Sequence, residues 1–283
     1  MEPKDGATLE DKIDRMQQKA LMRNHGFDDD DVLQLPLWPA YMRTLPNDYA
    51  RSALFTVSRG PRRALQEQKL FHYNNDVSIS YTGIELRACD DELVWQQVMH
   101  YAKEVGDLEK PLEFTLYQLC KDVGWPTNNT YYKRVKASLN RLQATALNFE
   151  SSRIGKIKSL SLVQSFSMEN VGTRKQTCQV YIDKRILLLY IGNHYTQVFW
   201  EKYRKLAPTA RRLFDYICSH KEPYPLDIVT FQQMCGSRCE SSRKWRQIVQ
   251  KACVELENAE LVAEAYAVSN THLRAHETIH YLV

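Results

Sequence analysis

Residues 112–147 constrain the fold of this chain most strongly, because two helical patterns meet there at a short break. Gly124 ends the first pattern, Pro126 lies inside the break, and the polar residues after it suit a helix N-cap. In the second pattern an apolar stripe recurs at the three- and four-residue spacing of a helix, and its members are Tyr131, Val135, Leu139 and Leu142. The spacing predicts two helices joined by a tight turn, with one face of the second helix in a core.

The opposite face of that second helix is basic and rich in amides, and no acid occurs from Asn128 to Asn148. Lys and Arg pair with phosphates or guanine edges and Asn pairs with adenine, which suits a helix in the major groove of DNA. An ordinary solvated helix is the alternative, but such helices usually mix both signs of charge. This segment alone leaves both interpretations open. The candidate DNA contacts here are Asn129, Tyr132, Lys133, Arg134, Lys136, Asn140 and Arg141.

The same pattern returns 114 residues later without a gap. The paired positions are Tyr117 with Phe231, Tyr131 with Trp245, Val135 with Val249, Leu139 with Cys253, Leu142 with Leu256 and Leu147 with Leu261. The later helix again has a basic, amide-bearing outer face, whose candidate DNA contacts are Arg243, Arg246, Gln247, Gln250 and Lys251. Two such copies predict a duplicated helix-turn-helix module, in which the second helix of each copy reads DNA.

Alternating apolar and polar residues follow the first helix pair and turn at Gly155, which predicts a β-hairpin. A hairpin directly after a reader helix predicts a winged helix. Its basic residues Arg153, Lys156 and Lys158 are expected to lie on the phosphate backbone, where contacts position a protein without specifying sequence. After Leu261 the strands of a matching second wing are mostly missing or altered.

The predicted fold class is α+β, with two tandem winged-helix (helix-turn-helix) domains behind a flexible N-terminal leader. Strand patterns fill residues 51–88 with a turn at Thr82-Gly83, and a helix follows from Glu92 to about Val105. We place the domain boundary near Pro208. The predicted domains are 1–50 as a flexible leader with a partner-binding motif, 51–206 as the first winged helix, 207–266 as the second, and 267–283 as an atypical, disordered tail.

Charge is distributed unevenly along a chain whose formal net charge is only +4. Residues 1–32 hold nine acids against five bases, whereas residues 51–69 hold five bases against one acid, as in nucleic-acid binders with a solvated leader. No apolar run approaches the length of a membrane span and Met1 is followed by charged residues, so we expect a cytoplasmic protein with no membrane partner. Seven scattered cysteines fit reduced thiols better than disulfides.

The peptide Gln34-Leu35-Pro36-Leu37-Trp38-Pro39 lies between the acidic leader and the first strands. Its two prolines exclude a regular helix. One interpretation is a strand that packs on the body of the protein. The other is an exposed linear motif whose Leu37 and Trp38 fill a partner's pocket.

Catalytic motifs are nearly absent, so we predict that the chain is not an enzyme and needs no cofactor. Gly155-Lys156 lacks the upstream glycine of a phosphate-binding loop. The stretch from His276 to His280 matches the zinc-protease pattern H-E-x-x-H, but only three residues follow it and no third ligand lies downstream. Cys235 and Cys239 lack a partner pair. We expect no metal site; stoichiometric zinc would be needed to support a metalloprotease.

Taken together, these features resemble the Rep-type, iteron-binding plasmid replication initiators, which are built from two winged-helix domains. The resemblance covers residues 1–261 and rests on four segments: the helix Asp90–Met99, the first reader helix, the stretch Ala207–His220 and the Trp245 helix. From Val262 onward the sequence departs from the family pattern, which predicts an altered second wing.

The resemblance implies a bacterial protein that controls plasmid copy number and binds direct repeats (iterons) in double-stranded origin DNA. It further implies melting of adjacent AT-rich DNA, contact with that single strand, recruitment of host DnaA and replicative helicase, and a homodimer as the inactive form. Gln34, Leu35, Leu37 and Trp38 are similar to the sliding-clamp motif Q-L-x-L-F, with Trp for Phe, which favours the linear-motif interpretation and the host sliding clamp as a partner. The alternative function is a winged-helix transcriptional repressor without initiator activity, which would bind duplex DNA only.

Overall fold

The structure, a computed structural model, describes residues 35–169, 176–221, 225–267 and 272–277. None of the helices in these ranges is long and apolar enough to cross a membrane. A 3-10 helix spans Lys184–Asn193. The α-helices are α1 (Asn47–Ala50), α2 (Asp91–Val105), α3 (Leu116–Val123), α4 (Asn129–Gln143), α5 (Trp200–Tyr203), α6 (Pro208–Cys218), α7 (Ile228–Met234) and α8 (Ser242–Asn258).

The strands form one four-stranded antiparallel sheet, β3-β4-β7-β8, and two three-stranded sheets, β6-β10-β9 and β12-β14-β13. Two short pairs, β1-β11 and β2-β5, complete the pattern. The strands are β1 (Met42–Pro46), β2 (Phe55–Thr56), β3 (Leu65–Leu70), β4 (Val77–Ile84), β5 (Leu86–Arg87), β6 (Leu112–Phe114), β7 (Ala146–Ser151), β8 (Gly155–Leu160), β9 (Ser165–Glu169), β10 (Thr177–Tyr181), β11 (Tyr195–Phe199), β12 (Leu226–Asp227), β13 (Val262–Ala267) and β14 (His272–Glu277).

Helices α3 and α4 form the first predicted helix-turn-helix. The Thr115 hydroxyl accepts a hydrogen bond from the Gln118 amide at the start of α3, and Gly124 ends that helix in the left-handed region, at φ +80°. The Asn128 side chain caps α4 by accepting from the amides of Thr130 and Tyr131. The buried residues of α4 are Val135, Ser138, Leu139 and Leu142, so most of the predicted stripe faces the core.

The hairpin β7-β8 follows α4 and joins the sheet of β3 and β4, which gives the first domain its wing. The predicted turn at Thr82-Gly83 is wrong, because β4 runs on to Ile84 and pairs with β3 up to Leu65. The glycine at position 83 instead allows the backbone of β4 to lie close to neighbouring atoms. A Cβ there would lie 3.1 Å from the Ala144 carbonyl oxygen and 3.2 Å from the hydroxyl of Tyr81.

The second domain repeats this order as α6, β12, α7, α8, β13 and β14, and it does have a wing. Strands β13 and β14 pair antiparallel, and β14 also pairs with β12. The prediction that these strands are missing is therefore wrong, as is disorder for residues 272–277; residues 268–271 and 278–283 lie outside the described ranges. A register shift between Val262 and Glu264 buries Val262 and Ala265, three positions apart, which hides the alternation expected of a strand.

The first copy of the helix-turn-helix has one more residue than the second copy between the buried positions of its two helices. In α4 and α8 the offset of 114 places buried Val135 on buried Val249. In α3 and α7, however, the buried positions Leu116, Leu119 and Cys120 match Phe231, Met234 and Cys235, an offset of 115. The predicted match of Tyr117 with Phe231 is wrong, since Tyr117 is exposed and Phe231 is buried.

Residues 35–50 belong to the first domain rather than to a leader. Strand β1 pairs with β11 along its whole length, and α1 is buried between β1 and α6. The predicted flexible leader is therefore wrong for these residues. Its remainder, residues 1–34, which include Gln34 of the proposed clamp motif, lies outside the described residues.

The two domains share a buried polar junction. Residues 209–217 of α6 are all buried, and the fully buried Arg212 guanidinium donates to the carbonyl oxygens of Ala50 and Ser52, each at 2.7 Å. Arg212 also donates to Asp215 at 3.0 Å and lies 3.6 Å from Glu92 of α2. A buried ion pair needs well-fixed partners, so this junction favours one relative orientation of the domains.

The turn of the second helix-turn-helix is also attached to the first domain. The Val57 amide donates to the Cys235 carbonyl oxygen at 2.9 Å, and the Ser58 hydroxyl donates to the Gly236 carbonyl oxygen at 3.2 Å. Gly236 has φ +54°, and a Cβ there would lie 2.7 Å from the Thr56 methyl group. These contacts hold the end of α7 and the turn after it against the first domain.

Candidate nucleic-acid interface

Four side chains make a line along the outside of α4, which we call the first reader stripe. They are Asn129, Lys133, Lys136 and Asn140. Their spacing places them on one helix face, opposite the buried residues. Asn129, Lys133 and Asn140 are exposed and Lys136 is half-buried. Tyr132 lies at the edge of the stripe, where its hydroxyl donates to the Thr127 carbonyl oxygen at 3.3 Å.

Helix α8 carries an equivalent line, the second reader stripe, formed by Arg243, Gln247, Gln250 and Val254. Trp245, Val249 and Leu256 are buried on the other side, and the Trp245 indole donates to the Ile228 carbonyl oxygen at 3.0 Å. Arg246 and Lys251 flank the stripe and are exposed. All five predicted contacts on α8 are therefore accessible to a ligand.

The sequence prediction missed two residues of this surface. Lys244 is exposed in the first turn of α8, and Val254 is 49% exposed in the middle of the face. Lys244 precedes the buried Trp245 and does not lie directly opposite the apolar stripe, so the helical spacing did not predict it. Val254 was missed because its side chain is apolar.

Helix α8 carries two acids in its last turns, Glu255 and Glu257. A Glu255 carboxylate oxygen accepts a hydrogen bond from the Ala207 amide at 2.7 Å, and a Glu257 carboxylate oxygen accepts from the Ala265 amide at 2.7 Å. Both carboxylates are thus bound to the domain's own backbone. Helix α4 contains no acid.

Arg134 and Arg141 do not join the first reader stripe, which corrects their assignment to DNA. Arg141 donates to Asp91 at 2.8 Å and 3.0 Å. Arg134 lies 3.7 Å from Asp90, and its guanidinium stacks over the Trp125 ring at 4.5 Å. The two guanidinium groups are occupied because Asp90, the N-cap of α2, and Asp91, its first residue, lie next to α4.

Arg63 completes this internal ion-pair cluster by donating to Asp90 and to Asp91, each at 2.6 Å. Burial alone would raise the pKa of Asp90, but the hydrogen bond and charge of Arg63, followed by the charges of Arg141 and Arg134, hold that pKa below its ordinary value. The cluster therefore joins α2, α4 and the segment before β3. It accounts for two of the basic residues that the sequence predicted to contact DNA, Arg134 and Arg141.

The wing of the first domain contributes two lysines rather than three basic residues. Arg153 is paired with Asp48 and donates to the Leu188 carbonyl oxygen, so its assignment to DNA is also corrected. Lys156 and Lys158 are exposed and line a groove of about 320 Å³ on the outer face of the sheet. Lys156 lies 3.6 Å from Glu150, an exposed pair that is weak in water.

The proposed clamp motif is mostly packed into the first domain. Leu35 and Trp38 are each only 4% exposed, whereas Leu37 is 80% exposed. The Trp38 indole donates to Nδ1 of His100 at 3.1 Å and stacks on Tyr190. The interpretation as an exposed motif is therefore wrong for Leu35 and Trp38, because both side chains complete the core.

His100 is suited to accept that hydrogen bond. Burial, followed by the charges of Arg43 and Lys103, lowers the pKa of His100 to about 3, so the ring is neutral at physiological pH. A neutral ring can accept at Nδ1 while Nε2 faces Glu104 at 3.2 Å. The segment that contains Trp38 is thus fixed by a specific polar contact as well as by packing.

The H-E-x-x-H stretch does not begin on a helix. His276 and Glu277 lie in strand β14, and Thr278 to His280 are outside the described residues. Within the described ranges, no three His, Cys, Asp or Glu side chains are grouped so as to hold a metal ion. Burial raises the pKa of the Cys235 thiol, which disfavours the thiolate that a metal would need.

Comparisons with known proteins agree with this architecture. A crystal structure of domains 2 and 3 of RctB aligns with 81% of this chain and 98% of the RctB chain at a TM-score of 0.54 and 9% identity. A second RctB structure of the same domains aligns with 80% of this chain and 94% of its own at a TM-score of 0.48 and 9% identity. The first likeness confirms the α+β fold of two tandem winged-helix domains.

Sequence comparisons reach further. A family model described as TrfA protein matches residues 3–275, so the expected departure after Val262 is wrong up to that point. Plasmid replication initiator protein TrfA from Escherichia coli is 49% identical over 268 residues, which are 92% of this chain and 70% of the relative. This chain therefore belongs to the TrfA family of plasmid replication initiator proteins.

Proposed function

We propose that this chain initiates plasmid replication by binding direct repeats (iterons) of origin DNA with its two reader stripes. The observation that carries the proposal is the presence of two exposed helix faces with basic and amide side chains, each opposite a buried stripe of the same helix. Lysine and arginine on such faces suit phosphates and guanine, and asparagine and glutamine suit adenine. The initiator relative from Escherichia coli supports the same function.

The two readers would occupy successive major grooves on one side of the duplex, about one helical turn apart. Lys156 and Lys158 on the wing of the first domain would contact the phosphate backbone beside the first reader. Tyr132, Arg246 and Lys251 would act at the edges of the stripes. Both readers contribute to the binding free energy of a single complex, because one chain carries them.

We propose no enzymatic activity for the chain. Opening of the adjacent AT-rich DNA would draw on binding energy, on bending of easily deformed steps, on supercoiling and on host ATPases. The family relationship supports contact with the opened single strand, recruitment of host DnaA and replicative helicase, and an inactive homodimer in the bacterial cytoplasm.

Contact with the host sliding clamp would need a rearrangement of the first domain. Among the motif residues that the structure describes, only Leu37 is free to reach a pocket, since Leu35 and Trp38 lie in the core. A clamp that takes both anchors must therefore compete with the hydrogen bond to His100 and with the packing on Tyr190. Clamp binding should accordingly be weak until residues 35–39 leave the domain.

The test is fluorescence anisotropy of the full chain with three labelled probes: a duplex of the plasmid's own origin repeats, a scrambled duplex, and a single strand of the AT-rich region. An initiator binds the repeats in preference to the scrambled duplex and also binds the single strand. Preference for the repeats without single-strand binding would favour a repressor. Equal binding of both duplexes would overturn the proposal.

A further inference from the structure

Val254 is out of place on the surface of α8. It is 49% exposed and follows Arg243, Gln247 and Gln250 along the second reader stripe. It belongs neither to the buried core nor to the half-buried side chains packed against that core. From these observations, and resting on the proposed DNA-binding function, we propose that Val254 is a specificity-determining residue that reads the methyl group of a thymine.

Helix stability does not account for a valine at this position. A β-branched side chain loses rotamer freedom in a helix, so glutamine or lysine would stabilise an exposed site better. The three other members of the stripe are long polar residues of that kind. The valine at position 254 is therefore better explained by a ligand than by the fold.

The neighbouring side chains identify the ligand as a base edge. Arginine and glutamine share one target surface, the major groove, where thymine presents the only methyl group among the four bases. An apolar side chain in the same line meets that methyl group without leaving a polar group unpaired. A protein partner is a poorer occupant, because the rest of the stripe is polar and basic.

The first reader supports this assignment by its corresponding residue. Asn140 occupies the position of Val254 under the offset of 114, and it is exposed at the same place in its stripe. Asparagine pairs with adenine, whereas valine contacts thymine. Asn140 and Val254 would thus each specify an A·T base pair. Asn140 would contact the adenine of its pair, and Val254 would contact the thymine of its pair.

The experiment replaces single thymines of the origin repeat by deoxyuridine, which removes only the methyl group. Anisotropy of the full chain on each duplex should show a thymine in the segment read by α8 whose replacement weakens binding about fourfold, the effect of one buried methyl group. With Val254→Ala, binding of the unmodified repeat should weaken, and replacement of that thymine should have no further effect. The matched control Asn140→Ala should keep the fourfold sensitivity.

Val254→Ala is expected to fold normally, since alanine favours a helix, and an unchanged unfolding temperature checks this. Val254→Thr, which keeps one methyl group, should retain part of the sensitivity. Undiminished sensitivity of Val254→Ala at every thymine would overturn the assignment, as would a wild-type chain that is indifferent to all of them. Failure of the proposed function itself would appear separately, as equal binding of repeat and scrambled duplexes before any thymine is replaced.

Discussion

The basic residues of α4 fall into two classes that depend on their neighbours. Lys133 and Lys136 face outward, whereas Arg134 and Arg141 are held by Asp90 and Asp91 of α2. The number of Lys and Arg residues in a helix therefore overstates the positive charge that its exposed face offers to a ligand. Only the residues without an internal acidic partner remain for a ligand.

Arg141→Ala should destabilise the fold by about 2 kcal/mol or more, because charged hydrogen bonds to the buried Asp91 are lost. Chemical denaturation measures the change in the free energy of unfolding. Lys136→Ala, a change on the same helix, should stay within about 0.5 kcal/mol of wild type. Equal effects of the two substitutions would contradict the division of α4 into paired and free bases.

Trp38→Ala should cost about 3–5 kcal/mol of stability, as expected for a large aromatic side chain removed from a core. Leu37→Ala is the matched control one residue away, and its exposed side chain predicts a change within about 0.5 kcal/mol. The denaturation midpoints of both variants measure these changes in stability. Wild-type stability of Trp38→Ala would mean that the segment does not pack as described.

His100 should make stability depend on pH in the acid range. Its folded pKa of about 3 lies below the ordinary value near 6.5, so between these values the unfolded chain binds the proton more tightly. Stability should therefore fall as the pH drops from about 6.5 towards 3. His100→Gln should show a shallower fall in urea titrations at successive pH values. Parallel curves for variant and wild type would show that His100 is not the cause.

The residue scale also shows where the sequence was informative. Helical spacing predicted the buried Val135 and Val249 correctly, because that spacing is a local property of the chain. It could not separate Arg134 from Lys133, since the difference lies in Asp90, which is distant in sequence. The burial of Trp38 could not be predicted either, because its partners His100 and Tyr190 come close to it only in the folded chain.

At the scale of elements, each reader helix should contribute its own part of the electrostatic binding energy. Lys133→Ala on α4 and Arg246→Ala on α8 should each weaken binding of the origin repeats. Each should also reduce the slope of log affinity against log salt by about 0.9, the value for one phosphate contact. A salt titration of the anisotropy measures both effects. Unchanged slopes in both variants would exclude α4 and α8 as the DNA-facing helices.

The two wings differ in how far their sequences predicted them. The hairpin β7-β8 was predicted because its side chains alternate and its turn lies at Gly155. The hairpin β13-β14 was not, since the register shift at Val262 places the buried residues described in β13, Val262 and Ala265, three positions apart, and the second of them is only an alanine. A bulge of this kind depends on pairing between strands, which sequence periodicity does not record.

At the scale of the whole molecule, direct contacts join the two domains, from which we infer that they move as one body. Arg212 joins α6 to the backbone of Ala50 and Ser52, and the turn before α8 is hydrogen-bonded to Val57 and Ser58. The sequence placed the domain boundary near Pro208 but did not show how deeply this junction is buried. Its consequence is a fixed distance and angle between the two reader stripes.

The most direct test of this account is the affinity of the full chain for origin-repeat duplexes with five or ten base pairs inserted between the segments read by α4 and α8. Two stripes in one rigid body predict that both insertions reduce binding to that of a duplex with only one segment. Five base pairs turn the second groove away, and ten move it a full turn farther along the helix. Retained affinity with ten base pairs would show flexibly linked readers and contradict the account.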